Sequence, residues 1–210
     1  YFTKKIEDSL SPVIDGEISD QVWNQVEWSS DFIQFQPEEN TQPSNQTKYK
    51  LLYDNNAVYI FVKSINNPNE IVNRLSRRDK LEGDAIMIGI DSNNDKISSF
   101  MFCLSSAGTQ VDMFASGNGD KEDESWNAVW YSKTKIDEDG WNAELKIPFS
   151  QLRFSNDDNQ TWGFNIMRID FKKNETSLWD RVPVGSAGWI SESGEIKGIS
   201  KITPKLNYEI

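Results

Sequence analysis

The chain has 210 residues, a length that fits one domain, and its formal net charge is −11 at pH 7. Because an acidic surface repels phosphate groups, this charge argues against nucleic acid and anionic lipid as partners. The sequence contains no His and a single Cys, Cys103, which excludes an internal disulfide, removes the commonest catalytic base and argues against a structural zinc site.

The first predicted element is a short helical segment near the N-terminus. In "ISDQVWNQVEW", Val22, Trp23 and Val26 recur at helical spacing, and Ser19 precedes them as the predicted N-cap. A further helical turn is predicted in "SQLRF", after Pro148. Helical periodicity is scarce elsewhere, so we expect helix to be a minor component of the fold.

From residue 47 onward the chain is dominated by short segments in which apolar and polar residues alternate. Such segments, bounded by Gly, Asn, Asp or Ser, predict β-strands. The predicted strands are "TKYKLLYD", "AVYIFVKS", "DAIMIGID", "SSFMFCLSS", "TQVDMFA", "AVWYSKTKI", "WNAELKIPF" and "TWGFNIMRI". Eight or more strands with little helix predict an all-β, jelly-roll-like sandwich of two antiparallel sheets. We expect one domain over residues 1–210, with its core at about 13–204.

The sequence lacks the motifs of common hydrolases and nucleotide-binding enzymes. It contains neither a Gly-x-Ser-x-Gly elbow nor a P-loop, and a conventional Ser triad cannot form without His. The 33 acidic residues lie mostly in turns such as "GNGDKEDE", which is typical of a solvated surface and not of a paired-carboxylate hydrolase. We therefore predict that the protein is not an enzyme.

The segment "DSNND" is the best candidate for a metal site. It places Asp91, Asn93 and Asp95 at alternate positions, and their carboxylate and amide oxygens are ligands that calcium prefers. The Gly and the bidentate acid of an EF-hand are missing, and hairpin turns also favour Asn and Asp for backbone reasons. The segment therefore predicts either a structural calcium site or a plain hairpin turn.

Eight tryptophans are many for a chain of this length. Sugar rings have apolar C–H faces that stack on aromatic side chains, so a loop tryptophan is a candidate platform for a sugar, while a sandwich also uses Trp to fill its core. In "SLWDRVPVGSAGWISESGE", Trp189 is the best candidate, either as a ligand platform or as an anchor of the loop, and Trp179 lies in the same segment. Trp126, behind an acidic loop, is a third candidate for ligand binding.

Several segments, taken in order, resemble a known family. They are "VIDGEISDQVW", "KYKLLYDNNAVYIFVKS", "GDAIMIGID", "DGWNAELKIPFSQLRF" and "WGFNIMRID", and the similarity runs from about Val13 to about Pro204. The chain resembles family 9 carbohydrate-binding modules, and most closely the N-terminal module of bacterial outer-membrane proteins in which a membrane β-barrel follows. The resemblance implies a β-sandwich, a non-catalytic role, bound calcium and an extracytoplasmic location in a bacterium, in the periplasm or at the outer membrane or cell surface.

The resemblance also implies a site in which two tryptophans clamp the end of a sugar chain. Trp189 corresponds to one clamp tryptophan, and Leu81 stands at the position of the other. Met87 and Cys103 stand where relatives have a sugar-contacting acid and a sugar-binding Arg, and neither can supply those hydrogen bonds. The charged residues nearby form either a different polar site or a plain surface loop, and they are Arg74, Arg77, Arg78, Asp79 and Glu82.

The favoured function is a non-catalytic carbohydrate-binding module that binds an oligosaccharide or polysaccharide at the cell envelope. The alternative is an interaction domain without a sugar site, which docks on an outer-membrane β-barrel or another envelope protein. The lost clamp residues favour this alternative, and so does the stretch after Pro204, which reads as an exit toward further chain and predicts an N-terminal part of a longer protein. A third hypothesis is a haem-binding sandwich with ligands drawn from Met87, Met101, Met113 and Met167.

Overall fold

The computed structural model describes residues 1–77 and 80–203. In this part of the chain the protein is all-β, and its helical elements are short 310 turns. None of these turns has the length and apolar character of a membrane-spanning helix. The strands are β1 (Lys4–Lys5), β2 (Ile33–Gln36), β3 (Thr47–Tyr53), β4 (Ala57–Ile65), β5 (Ala85–Asp91), β6 (Ser99–Ser105), β7 (Gln110–Ser116), β8 (Lys121–Asp123), β9 (Tyr131–Asp137), β10 (Gly140–Pro148), β11 (Asn159–Asp170), β12 (Glu175–Leu178) and β13 (Gly194–Ser200).

The strands form two sheets. The smaller sheet has the order β1-β3-β4-β10-β9, and the larger has the order β2-β12-β11-β5-β6-β7-β8, with β13 also paired to β11. Pairing is antiparallel except between β1 and β3. Both β12 and β13 pair with β11, β12 along residues 167–170 and β13 along residues 159–164. The predicted two-sheet antiparallel sandwich is confirmed.

The main core lies between the two sheets. Because successive side chains of a strand point to opposite faces, each predicted alternation places one set of residues inside. The inward sets of β3, β4, β5 and β6 all belong to the buried cluster, and they are Tyr49, Leu51, Tyr53, Val58, Ile60, Val62, Ile86, Ile88, Ile90, Phe100, Phe102 and Leu104. Burying each large side chain contributes roughly 1.5–3 kcal/mol relative to leaving it exposed.

The N-terminal segment covers the outer face of the smaller sheet. The predicted helical segment is present as a 310 turn over Gln21–Gln25, and Trp23 from this turn packs on Phe61 with ring centroids 5.8 Å apart. The predicted cap is wrong, because the turn begins one residue later and Asp20 precedes it. The turn predicted after Pro148 is confirmed over residues 149–151.

A buried carboxylate ties this segment to the smaller sheet. Glu144 of β10 is fully buried, and its side chain accepts hydrogen bonds from the amides of Asp15 and Gly16, both at 2.9 Å. The indole of Trp23 donates a third bond at 3.2 Å. Burial raises the pKa of Glu144 to about 7, against the opposing effect of these donors.

Candidate functional site

The outer face of the larger sheet carries all four methionines of the chain. In the strand register, Met87 of β5 lies opposite Met167 of β11 on one side and Cys103 of β6 on the other. Met101 of β6 lies opposite Met113 of β7. We call the surface formed by these five residues the methionine face. It makes the central strands apolar on both sides, as expected of strands that are buried on both faces.

The segment between β12 and β13 folds over the methionine face and places Trp189 there. The indole lies between two glycines: a Cβ added to Gly119 would be 2.1 Å from Nε1, and one added to Gly89 would be 3.3 Å from Cζ3. Asn118 fastens the segment, since its carbonyl accepts a hydrogen bond from the amide of Trp189 at 3.1 Å. Its side-chain oxygen accepts from the amide of Ser191 at 2.8 Å.

A groove of about 200 Å³ remains beneath this segment. Its lining is mostly apolar and comes from β2, β5, β6, β8, β11, β12 and the segment after β12. The lining residues are Phe35, Met87, Gly89, Met101, Glu122, Asn165, Met167, Leu178, Val182 and Trp189. A concave apolar site with few polar groups is the usual form of a small-ligand site in a protein.

The structure brings together the residues that correspond to the family's sugar site. Leu81, Met87 and Trp189 all pack against one buried cluster on the methionine face, and Cys103 belongs to that cluster. Cys103 is fully buried, and its burial raises the pKa of the thiol to about 12. The thiol is therefore an unreactive packing group that cannot contact a ligand directly.

The structure shows the anchoring contacts of Trp189, while its role as a ligand platform stays a prediction. Its backbone and ring are held by Asn118, Gly119 and Gly89, which is the behaviour of a loop anchor. Its ring is only half-buried and borders the groove, which leaves aromatic surface for a ligand. The anchoring contacts fix the orientation of the ring before any ligand arrives, and such preorganisation lowers the entropic cost of binding.

The other two candidate tryptophans lie away from the groove and pack against the main core. The indole of Trp179 donates to Ser29 Oγ at 2.9 Å, and its ring packs edge-on against Tyr49 at a centroid distance of 5.4 Å. Trp126 packs on Phe100 with ring centroids 5.2 Å apart. A role for either residue in ligand binding stays a prediction, and the contacts observed are those of packing residues.

The charged residues proposed as an alternative polar site are only partly described. Arg77 and Glu82 are exposed on the surface before β5. Arg78 and Asp79 lie outside the described residues. The lining of the groove contains none of the described members of this set, Arg74, Arg77 and Glu82.

The loop between β5 and β6 gives the candidate calcium ligands another role. Asp91 is buried, and its carboxylate accepts hydrogen bonds from the amides of Asp95 (3.1 Å) and Lys96 (2.8 Å). The carboxylate of Asp95 accepts from the amide and the hydroxyl of Ser98, at 2.7 Å each, and Asn93 is exposed. Across residues 1–77 and 80–203, no group of three or more His, Cys, Asp or Glu side chains is placed to hold a metal ion. Both carboxylates act as acceptors within the turn, and calcium binding by Asp91, Asn93 and Asp95 stays a prediction.

Sequence reasoning missed several residues of the groove. Phe35, Glu122 and Val182 come from short strands and loops whose positions depend on pairing across the sheet, and the local pattern carries no signal for them. The haem hypothesis draws its ligands from the four methionines. They do share one face, but a groove of about 200 Å³ is too small to enclose a porphyrin.

A two-sheet sandwich with a tryptophan-bordered groove on an outer sheet face defines a ligand-binding module. The chain matches the family described as "Carbohydrate family 9 binding domain-like" over residues 14–182. The match spans most of the chain, so the protein belongs to this family. Because the family is one of binding domains, the prediction of a non-catalytic carbohydrate-binding module is confirmed.

Solved structures support the same fold. A family 9 module from Caldicellulosiruptor kristjanssonii in complex with glucose is 25% identical, with a TM-score of 0.66 over 97% of this chain and 100% of that chain. The module from that organism in complex with cellotriose is 24% identical, with a TM-score of 0.65 over 96% and 100%. A proposed carbohydrate-binding protein from Bacteroides uniformis ATCC 8492 is 13% identical, with a TM-score of 0.71 over 94% and 97%. Among curated proteins, none matches the chain.

Proposed function

We propose that the module binds its carbohydrate in the groove beneath Trp189, on the methionine face of the larger sheet. The observation that carries this proposal is the meeting of Trp189 with Leu81, Met87 and Cys103, which stand at the family's sugar-site positions. Trp189 offers a C–H stacking surface, and the groove beside it is concave and open to solvent. The similar module from Caldicellulosiruptor kristjanssonii in complex with glucose makes a glucose-type sugar the first ligand to test.

Titration with oligosaccharides tests the proposal. We expect saturable binding of at least one neutral glucan or glucoside in calorimetry, with a change in tryptophan fluorescence. Trp189→Ala should weaken binding at least tenfold, because it removes the stacking surface. Trp28→Ala is the matched control, since Trp28 is a half-buried tryptophan that packs on the outer face of the other sheet. Equal affinity of the wild type and Trp189→Ala would show that the carbohydrate does not bind beneath Trp189.

A location at the bacterial cell envelope, in the periplasm or at the outer membrane or cell surface, is part of this proposal. The resemblance to modules that precede an outer-membrane β-barrel supports it, and the lone buried Cys103 is compatible with an oxidising compartment. Fractionation of the native bacterium, with detection of this chain by antibody, tests the location. Recovery in the cytoplasmic fraction alone would contradict it.

Docking on an envelope protein is the second candidate function, and one surface favours it. Tyr131, 53% exposed, lines an open groove of about 490 Å³ together with Pro12 and Trp130. Val13 and Val129, 64% and 63% exposed, are the chain neighbours of Pro12 and Trp130. Exposed apolar patches mark interaction sites. If docking is the function, outer-membrane vesicles of the native bacterium should retain the wild type and release Val129→Glu, while the oligosaccharide titration stays silent for both proteins.

A further inference from the structure

We propose that the ligand of the groove is a sugar substituted with a neutral aromatic ring, and that the ring occupies the methionine-lined floor while the sugar lies at the rim. This inference rests on the proposed function and adds the class of ligand. It follows from the hydrogen-bonding capacity of the lining, the size of the groove, and the chemistry of the methionine and tryptophan side chains.

The lining offers too few hydrogen-bonding groups for a bare sugar ring. Among the described lining residues, Glu122 and Asn165 carry oxygen or amide nitrogen, and Trp189 adds one indole N–H, whose nitrogen packs against Gly119. The amide oxygen of Asn165 already accepts from the backbone amides of Ile166 (2.9 Å) and Asp180 (3.0 Å), and its nitrogen donates to the carbonyl of Asp180 at 2.9 Å. At most one amide hydrogen of Asn165 is left for a ligand. Sugar hydroxyls buried on this floor would lose bonds to water without replacement, at a cost of about 1–3 kcal/mol each.

Glu122 marks where the sugar belongs. It lies on β8, is exposed, and is the charged residue among the described residues that line the groove. A carboxylate at the rim accepts hydrogen bonds from hydroxyls, so the polar part of the ligand meets the protein there and beside Trp189. The same carboxylate disfavours an anionic ligand, since like charges repel in a partly desolvated site, and the chain as a whole carries a net charge of −11.

The size of the floor matches one ring. The groove measures about 200 Å³, and apolar cavities of about 150 Å³ in other proteins hold benzene. Met87, Met101 and Met167 line this volume together with Trp189. Thioether sulfur makes favourable contacts with aromatic rings, worth about 0.3–1.5 kcal/mol each, and unbranched methionine side chains adapt to the outline of a planar group.

The experiment compares phenyl β-D-glucoside, methyl β-D-glucoside, octyl β-D-glucoside and phenol by calorimetry. We expect phenyl glucoside to bind at least tenfold more tightly than methyl glucoside and more tightly than octyl glucoside, with phenol weaker than phenyl glucoside. Labelling the methionine methyl groups with 13C gives a direct readout, because an aromatic ring shifts the NMR signals of adjacent methyls. The Met87 and Met167 signals should shift with phenyl glucoside and stay in place with methyl glucoside.

Two variants of Met167 distinguish the loss of a contact with the aromatic ring from a general loss of folding. Met167→Gln, at a half-buried site, should remove the advantage of phenyl over methyl glucoside, while Met167→Leu should retain most of it, with melting temperatures recorded for both. Equal affinity for the phenyl, methyl and octyl glucosides would overturn the aromatic inference and leave the sugar site standing. Tight binding of phenol alone would overturn the sugar site as well. Binding of none of the four compounds would overturn the aromatic inference and leave the sugar site to be decided by the oligosaccharide titration.

Discussion

At the scale of single residues, the position of Trp189 depends on two places where the chain has no Cβ. Gly119 has a φ of +97°, in the region that favours glycine, and it leaves the space that the indole Nε1 occupies. Gly89 has an ordinary backbone conformation, and its lack of a side chain lets the far edge of the ring approach β5. The position of the Trp189 ring therefore depends on these two glycines as well as on the tryptophan itself.

We predict that Gly119→Ala displaces Trp189, because the new Cβ would lie 2.1 Å from Nε1 of the indole. The free energy of unfolding should fall by roughly 2 kcal/mol, and sugar affinity should fall with it. Gly117→Ala is the matched control: its φ is also positive (+62°), but the nearest atom to the added Cβ is 3.7 Å away. Urea denaturation and calorimetry measure both effects, and equal losses in the two variants would contradict the role given to Gly119.

We predict that Glu144 makes the protein more stable at pH 5 than at pH 8. Burial raises its folded-state pKa to about 7 from an ordinary value of 4.5. A carboxyl whose pKa is raised on folding contributes stability that is fully present below the unfolded-state value and is lost as the pH rises through about 7. Since one pKa unit corresponds to about 1.36 kcal/mol, the loss is on the order of 3 kcal/mol.

Melting curves at pH 5 and pH 8 check this expectation. Glu144→Gln cannot ionise, so the difference between the two pH values should shrink in this variant. Glu17→Gln is the control, because Glu17 is a half-exposed partner of Lys135 in a surface ion pair. An unchanged pH dependence in Glu144→Gln would show that the carboxylate stays ionised through its three donors.

At the scale of strands, β11 carries a buried cation that joins the two sheets. Arg168 is 1% exposed, and its Nη1 donates to the carbonyls of Asn45 (3.2 Å) and Gln46 (3.0 Å), just before β3. Its Nη2 lies 3.6 Å from the carboxylate of Asp170. The guanidinium therefore ties the larger sheet to the smaller one at one end of the sandwich.

We predict that Arg168→Met lowers the free energy of unfolding by about 3–5 kcal/mol, because removing the cation leaves a buried carboxylate uncompensated. Arg181→Met is the matched control, since Arg181 and Glu39 form an exposed pair at 3.2 Å, and its loss should cost less than about 1 kcal/mol. Urea denaturation at pH 7 compares the two variants. Similar costs would mean that Arg168 contributes no more than a surface charge.

We predict that Asp95→Ala lowers the free energy of unfolding by about 1 kcal/mol through loss of its hydrogen bonds in the β5–β6 turn. If Asp95 acts only through its hydrogen bonds in the turn, this loss of stability should be the same with and without chelator. A bound calcium ion would instead make the wild type melt several degrees lower in chelator and remove that difference in the variant. Asn93→Ala, at an exposed position of the same turn, is the control and should change neither melting temperature.

At the scale of the whole molecule, the sequence predicts the inner core better than the outer faces. Alternation in β3 to β6 correctly identifies the residues between the sheets, since only one face of each strand meets the partner sheet. The strands β1, β2, β8, β12 and β13 were not predicted. The first four are only two to four residues long, and β13 lacks apolar alternation, so their positions depend on pairing with neighbouring strands. The sequence singled out Trp189 as a displayed loop residue, and the structure places it at the border of the groove. Met101 and Met167 could not be placed in the groove from local pattern, which does not distinguish an inner from an outer apolar face.

The attachment of β12 and β13 to one strand has a consequence for how new binding properties arise. The segment that carries Trp189 leaves the sheet where Leu178 pairs with Met167 and returns where Gly194 pairs with Phe164, so its two ends are fixed about 10 Å apart on β11. The residues between Asp180 and Ser193 pair with no strand, so substitutions at positions other than the buried Val182 and Ile190 change the wall of the groove and leave the strand pairing in place. We therefore expect that mutation or laboratory selection can change what the module binds by altering this one segment between β12 and β13, while the β-sandwich is retained.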